Sequence, residues 1–165
     1  MKPTRSALAA LLAATCIAVS GCAGTKPATK AEAPAPAADL GMTLSGDALF
    51  AFGKATIEDI SADGRGQLDA FIARLQAADY GLVRIVGHSD RIGTEKANMA
   101  LSTRRAQAVR DYLVGHGVPD QKIVATGRGP YQPVARCERE KAQALIACLA
   151  PNRRVEITVD PPFNR

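Results

Sequence analysis

Tryptophan is absent from this 165-residue chain, and aromatic residues make up only 4% of it. The core of a folded domain must therefore be built mainly from aliphatic side chains. Grooves for single-stranded nucleic acid combine basic residues with aromatic ones, and the interleaved charges of this chain, net +5, form no such stripe. Two histidines without clustered cysteine and histidine spacing argue against a zinc site. We therefore expect no nucleic-acid partner and no metal ion, and no motif indicates a cofactor.

Long hydrophobic runs are missing after residue 22. A helix that crosses a bilayer needs about 20 consecutive apolar residues, so a polytopic membrane protein is excluded. The length fits a single folded domain, since one core typically serves roughly 100–200 residues.

The first 22 residues have the pattern of an export signal. Lys2 and Arg5 precede an apolar run of 14 residues, 6–19, and small residues follow, which is typical of a secretory signal. Val19-Ser20-Gly21-Cys22 resembles a bacterial lipobox, whose cysteine receives the lipid. Ala23 after that cysteine implies sorting to the outer membrane, and several acyl chains, such as palmitate, give stable anchoring. The alternative is an ordinary cleaved signal with an incidental cysteine.

Composition divides the chain into four parts. These are a signal peptide (1–21), a lipidated N-terminus with an Ala/Pro-rich tether (22–43), a folded domain (44–160) and a short tail (161–165). The tether has no periodic apolar face, so burial cannot offset its ordering entropy. A Pro-rich segment of about twenty residues reaches roughly 60 Å at full stretch. The sequence leaves two interpretations of the tether open: a neutral spacer, or a segment whose length sets the distance from the membrane to its target.

Strand-like and helix-like patterns alternate along the folded domain. Strands are predicted at 48–52, 82–86, 122–126 and 154–159, helices at 61–78, 96–114 and 139–149, and a loop from 127. This alternation predicts an α/β fold: a two-layer sandwich of β-α-β-α units, with a mixed four-stranded sheet backed by helices.

The helix at 96–114 carries a charge inside its apolar stripe. At 100° per residue, Arg105 falls between Leu101 and Val109 on the face expected to meet the core. A charge there is costly unless it is paired or serves a ligand. Asp90 follows the carboxyl end of the second strand, where ligands of open α/β sheets tend to bind. The sequence leaves open a structural Asp90–Arg105 salt bridge and a ligand-binding pair.

Several motifs carry a family resemblance. Gly87-His-Ser-Asp-Arg-Ile-Gly93, Asn98, Arg105-Ala106 and Asn152-Arg-Arg-Val155 keep the spacing of the OmpA-like peptidoglycan-binding domain, which the chain resembles over essentially all of 48–159. Together with the lipobox, this resembles an OmpA-family lipoprotein akin to the peptidoglycan-associated lipoprotein. The resemblance implies an OmpA-C-like sandwich that binds peptidoglycan without catalysis. It also implies anchoring in the cell outer membrane, with the domain facing the periplasm.

The resemblance further implies a ligand, the diaminopimelate side chain of the peptidoglycan stem peptide. Its end carries an ammonium and a carboxylate on one carbon. Asp90 matches the position that binds the ammonium, and Arg105 matches the one that binds the carboxylate, for which arginine offers a fork that lysine cannot copy. Further pocket positions are matched by Asn98 and Arg153, and the wall by Phe52, Gly87 and Ser89.

Cys137 and Cys148 are the only cysteines in the folded domain. Export to an oxidising compartment favours a disulfide between them. One continuous helix over 137–148 would hold them about 16 Å apart, which is too far for a disulfide. The disulfide therefore requires Cys137 to lie in a loop that folds back over the helix.

Two other functions were weighed against a wall anchor. A peptidoglycan hydrolase needs a nucleophile with its base, a carboxylate pair or a metal, and none emerges. His88 and Ser89 form no triad with Asp90, because adjacent strand residues point to opposite faces. An envelope scaffold whose main partner is another protein, with wall contact secondary, remains open. The expected partners are thus peptidoglycan, outer-membrane lipid through acylated Cys22, and candidate envelope proteins.

Overall fold

The structure, a computed structural model, describes residues 40–50 and 53–163. Its elements in chain order are β1 (Met42–Ser45), α1 (Gly46–Leu49), α2 (Ala62–Gln76), β2 (Val83–His88), α3 (Glu95–Gly115), β3 (Ile123–Gly129), α4 (Ala142–Cys148) and β4 (Arg154–Val159). Two short 3-10 turns, Asp120–Lys122 and Ala150–Asn152, precede β3 and β4. Within these ranges, no helix is both long enough and apolar enough to cross a membrane.

The four strands form one mixed sheet in the order β1-β4-β2-β3. The pair β2–β3 is parallel, with α3 as its crossover, while β4 runs antiparallel to both β1 and β2. In register, Ile85 lies opposite Ala125 on one side and Ile157 on the other. The predicted two-layer α/β sandwich with a four-stranded mixed sheet is confirmed.

The core lies between one face of the sheet and the helices α2 and α3. Alternate strand residues are buried there, as period-two patterning requires, and α2 contributes a stripe repeating at three and four residues. Fully buried side chains of this core include Leu68, Phe71, Leu75, Ile85, Leu113 and Ile157. Ser61 fixes the start of α2, because its side chain accepts a hydrogen bond from the Gly64 amide at 2.9 Å.

The first strand is not where the sequence predicts it. Residues 48 and 49 of the predicted strand 48–52 belong to the short helix α1, and Phe50 makes an isolated bridge to Ile60. The actual edge strand β1 lies earlier, with Met42 opposite Ile157. Leu40 is already buried, so the folded region begins at or before residue 40 rather than at residue 44. The reason is non-local: β1 becomes a strand because β4 offers a free edge.

Two other boundaries shift. The strand β3 continues through 127–129, where a loop was predicted, because glycine lets this strand lie against α3. A Cβ at Gly127 would lie 2.5 Å from the Thr103 amide nitrogen, and the Gly129 amide donates to Ser102 Oγ at 2.9 Å. The helix α4 is shorter than predicted and covers only Ala142–Cys148.

Candidate functional site

Asp90 lies just beyond the carboxyl end of β2. The chain stays attached to β3 up to this point, because the Ser89 amide donates to the Gly129 carbonyl at 3.0 Å. Asp90 Oδ1 accepts the Ile92 amide at 2.9 Å, which fixes the carboxylate in a tight turn. The loop is tied further by Asn98 on α3, whose Nδ2 donates to the Ile92 carbonyl at 3.0 Å. The carboxylate is therefore held in one orientation at the sheet edge.

Arg105 reaches the same place from α3 and is only 2% exposed. Its Nε donates to the Lys54 carbonyl at 3.2 Å, and its guanidinium lies 5.5 Å from the centre of the Phe50 ring. Its Nη1 is buried and, within the described residues, has no hydrogen-bond partner. Burial lowers the pKa of Arg105, although arginine stays charged in proteins. A buried guanidinium with a free donor is the arrangement expected of a site for an anionic group.

Arg153, just before β4, joins two carboxylates. Its Nη1 donates to Asp90 Oδ2 at 2.8 Å, and its Nε and Nη2 donate to the carboxylate of Asp47 at 2.6–3.0 Å. Its Nη1 also donates to the Ile146 carbonyl at 3.1 Å. The hydrogen bonds to Asp47 are the main reason that the pKa of Arg153 rises above its ordinary value.

The sequence left open a structural salt bridge between Asp90 and Arg105, and that interpretation is wrong. Across 40–50 and 53–163, the ion-pair partner of Asp90 is Arg153, and no ion pair joins Asp90 to Arg105. Arg105 therefore lies beside the carboxylates without being paired to either. The sequence could not show this, because the residues that hold Arg153 are distant in the chain.

These side chains surround a cavity of about 150 Å³. The described residues that line it are Asp47, Gly53, Asp90, Ile92, Asn98, Leu101, Arg105, Ile146 and Arg153. Two carboxylates face two guanidinium groups, so the formal charges of the wall balance. The isoleucines and the leucine supply an apolar wall beside this charged end. Such a cavity suits a small zwitterion carried on an aliphatic chain.

Not every residue proposed from the sequence lines this cavity. Asp90, Asn98, Arg105 and Arg153 do. Ser89, whose buried Oγ has no partner among the described residues, lines a neighbouring cavity of about 220 Å³ that also touches Asp90.

Gly87 is not among the residues that line the cavity. A Cβ at Gly87 would lie 2.1 Å from the Ser102 carbonyl oxygen, so this glycine lets α3 approach β2 and does not form the cavity wall. Phe52 lies outside the described residues, as do the signal peptide, Cys22 and residues 23–39 of the proposed tether.

Sequence reasoning missed Asp47 and Ile146. Asp47 stands in the first turn of α1, a helix that the sequence pattern did not indicate. Ile146 belongs to α4 and comes to the cavity through the segment closed by a disulfide. No spacing rule links either residue to Asp90.

Cys137 and Cys148 form a disulfide in the structure, with their Cα atoms 6.2 Å apart. Cys137 precedes α4 and Cys148 is its last residue, so the intervening segment folds back on itself. This segment contributes to both cavities, because Cys137 lines the neighbouring one and Ile146 lines the one that contains Arg105. The Cys137 carbonyl accepts a hydrogen bond from Arg91, and the Ile146 carbonyl accepts one from Arg153.

His88 is a packed residue whose ring is 1% exposed. Burial lowers its pKa, and neither ring nitrogen has a hydrogen-bond partner in the described part of the chain. Its nearest carboxylate is Glu156, with Nε2 3.6 Å from Oε2.

Comparison with known proteins gives one consistent family. The sequence model of the OmpA family matches residues 49–146. Outer membrane protein A of Yersinia pseudotuberculosis is 47% identical over 133 residues, covering 77% of this chain and 37% of that protein. Outer membrane protein A of Shigella flexneri is 44% identical over 144 residues, covering 82% and 40%. The chain thus spans about two fifths of the length of these relatives.

Solved structures share the fold. The peptidoglycan-associated lipoprotein from Burkholderia pseudomallei superposes with a TM-score of 0.58 at 27% identity, covering 72% of this chain and 89% of that one. The cell wall anchor of the T6SS from Pseudomonas aeruginosa gives a TM-score of 0.58 at 34% identity, covering 73% and 80%. These structures share the OmpA-C-like fold, a mixed four-stranded sheet backed by helices.

Proposed function

Because the chain belongs to the OmpA family, we propose that it is a non-catalytic peptidoglycan-binding protein that tethers the outer membrane to the cell wall. The names of two groups of related proteins support this proposal. One structural relative is named a peptidoglycan-associated lipoprotein and another a cell wall anchor. The curated relatives are outer membrane proteins.

The proposed ligand is the diaminopimelate side chain of the peptidoglycan stem peptide. The observation that carries this proposal is the buried, unpartnered Nη1 of Arg105 in a charge-balanced cavity. The ligand carboxylate would take that donor, and the ligand ammonium would lie against Asp90. The aliphatic part of diaminopimelate suits the wall formed by Ile92, Leu101 and Ile146. A zwitterion leaves the net charge of the cavity unchanged.

The same geometry favours binding over catalysis. Hydrolysis needs a nucleophile with its base, or two carboxylates that flank the bond to be cut. The described residues that line the cavity include no serine, cysteine or histidine, and both of its carboxylates pair with the same residue, Arg153. We therefore propose that the site grips its ligand and does not hydrolyse it.

The membrane end of the tether is the acylated Cys22. This part of the proposal rests on the lipobox and on the signal-like residues that precede it. It is consistent with the lipoprotein named among the structural relatives. In this arrangement the folded domain faces the periplasm and residues 23–39 connect it to the outer membrane.

The test is co-sedimentation of the full chain, purified in detergent, with diaminopimelate-type peptidoglycan. Arg105→Lys removes the guanidinium fork but keeps the charge. Arg104→Lys is the matched control, because Arg104 is the neighbouring, exposed arginine on the same helix. We expect the wild type and Arg104→Lys to pellet, Arg105→Lys to stay in the supernatant, and free meso-diaminopimelate to compete.

Circular dichroism checks that each variant is folded. A wild type that stays in the supernatant, or an Arg105→Lys variant that pellets equally well, contradicts the proposed site. In that case the envelope scaffold with a protein partner becomes the better explanation of the family membership.

A further inference from the structure

We infer that the first turn of α1, formed by Gly46 and Asp47, belongs to the binding site together with Asp90 and Arg105. In this turn, Asp47 positions Arg153 for the ligand. This inference rests on the proposed function, since it concerns the same cavity. It adds a residue that neither the sequence motifs nor the family resemblance singled out. Its basis is the contact geometry of the turn with both arginines.

Asp47 holds most of the Arg153 guanidinium. Arg153 Nε donates to Oδ1 at 2.9 Å and to Oδ2 at 3.0 Å, and Nη2 donates to Oδ2 at 2.6 Å. This fork engages one edge of the planar group and leaves Nη1 directed at Asp90 Oδ2, 2.8 Å away. Planar bidentate pairs of this kind fix orientation as well as distance. Asp47 therefore determines where the cavity-facing nitrogen of Arg153 lies.

Gly46 brings the same turn against the other arginine. Its amide donates to the Arg153 carbonyl at 2.7 Å, which ties the turn to the start of β4. A Cβ at this position would lie 3.1 Å from Arg105 Nη1 and 2.9 Å from the Arg153 carbonyl oxygen. A side chain here would press on the free donor of Arg105, so glycine leaves room for this guanidinium.

Electrostatics points the same way. Burial lowers the pKa of Arg105, and the largest opposing contribution comes from the Asp47 carboxylate, ahead of Asp90. Asp47 is half-exposed and itself lines the cavity. It is thus the acidic residue that both steers one arginine and supports the charge of the other.

The test measures the affinity of the full chain, in detergent, for free meso-diaminopimelate by calorimetry, alongside the peptidoglycan pelleting. Asp47→Asn keeps the shape of the side chain but removes the charged acceptor, and we expect the dissociation constant to rise about tenfold. Asp47→Glu, which keeps a carboxylate, should retain most of the affinity. Asp111→Asn is the matched control, because Asp111 also pairs with an arginine, Arg110, but lies away from this cavity.

A double-mutant comparison separates positioning from a general structural effect. If Asp47 acts through Arg153, adding Asp47→Asn to an Arg153→Gln chain should cost about twofold or less. Equal losses in both backgrounds would overturn the positioning role. Asp47→Asn with wild-type affinity, in a chain where Arg105→Lys abolishes binding, would overturn this inference and leave the proposed function standing. A wild type that does not bind would overturn both.

Discussion

Arg105 carries a charge at a position from which solvent is almost excluded. Its Nη1 donor is buried without a partner among the described residues. Desolvating a charge costs several kcal/mol unless good hydrogen bonds compensate for it. For a charged group, a buried donor without a partner adds to this cost. The free donor therefore supports the proposal that Arg105 binds a ligand.

At residue 105, we expect a substitution to abolish binding without lowering the stability of the fold. Arg105→Met replaces the guanidinium by an apolar side chain of similar length. We expect the free energy of unfolding to stay at the wild-type value or rise by about 1 kcal/mol, while peptidoglycan pelleting is lost. Urea denaturation measures the first effect and sedimentation the second. A clear loss of stability would show that Arg105 is mainly structural.

Gly87 permits the close packing between β2 and α3. Gly87→Ala places a Cβ 2.1 Å from the Ser102 carbonyl oxygen, so it should destabilise the chain by about 2–3 kcal/mol. Gly66→Ala is the matched control: Gly66 is an exposed residue of α2 whose Cβ would meet nothing within 4 Å. It should stabilise by about 0.5–1 kcal/mol. Thermal unfolding of both variants decides this, and a tolerated Gly87→Ala would contradict the close approach.

At the residue scale, the sequence pointed to part of the site for a physical reason. Asp90 and Arg105 are charges at positions where the fold pattern expects none, next to a strand end and on a core-facing stripe. The partner of Asp90 could not be predicted in the same way. Arg153 and Asp47 meet only because β4 lies between β1 and β2, and that order is set by pairing between distant segments.

At the scale of the elements, period and length separate what was predictable from what was not. The helices α2 and α3 and the strands β2 and β4 have enough residues for an apolar period to appear. The edge strand β1 has four residues, and α1 has four. In segments this short no period can be recognised, and the choice between strand and helix depends on neighbours such as β4.

The disulfide-closed segment is the element that joins stability to binding. It supplies Ile146 to the cavity wall and a carbonyl to Arg153. Opening the disulfide should lower the free energy of unfolding by about 3 kcal/mol, because the unfolded chain loses a constraint. It should also weaken peptidoglycan binding, since Arg153 loses a fixed acceptor.

Urea denaturation and pelleting with and without reductant measure both effects. The double variant Cys137→Ser with Cys148→Ser should have the stability and the pelleting of the reduced protein. Reductant should change neither of them further. Unchanged pelleting after complete reduction would show that this segment does not shape the site.

At the scale of the whole molecule, the two proposed contacts lie in separate parts of the chain. Cys22 would hold the outer membrane and the Asp90–Arg105 cavity would hold the wall, with residues 23–39 between them. No residue is shared between the two contacts, so each should work when the other is removed. A scaffold held mainly by another protein would not show this independence.

Fractionated cells can test this independence. Cys22→Ser, exported behind an ordinary cleavable signal peptide, should stay with the envelope through the wall alone and become soluble when lysozyme digests the peptidoglycan, whereas the wild type should then remain with the membrane. Arg105→Lys should behave in the opposite way: it stays with the membrane after lysozyme but leaves the wall when mild detergent dissolves the membrane. The wild type in detergent should sediment with intact peptidoglycan, because its cavity is unchanged.

If Cys22→Ser remains in the membrane fraction after lysozyme, lipid on Cys22 is not the anchor. If Arg105→Lys still sediments with the wall in detergent, the grip on peptidoglycan lies outside the cavity.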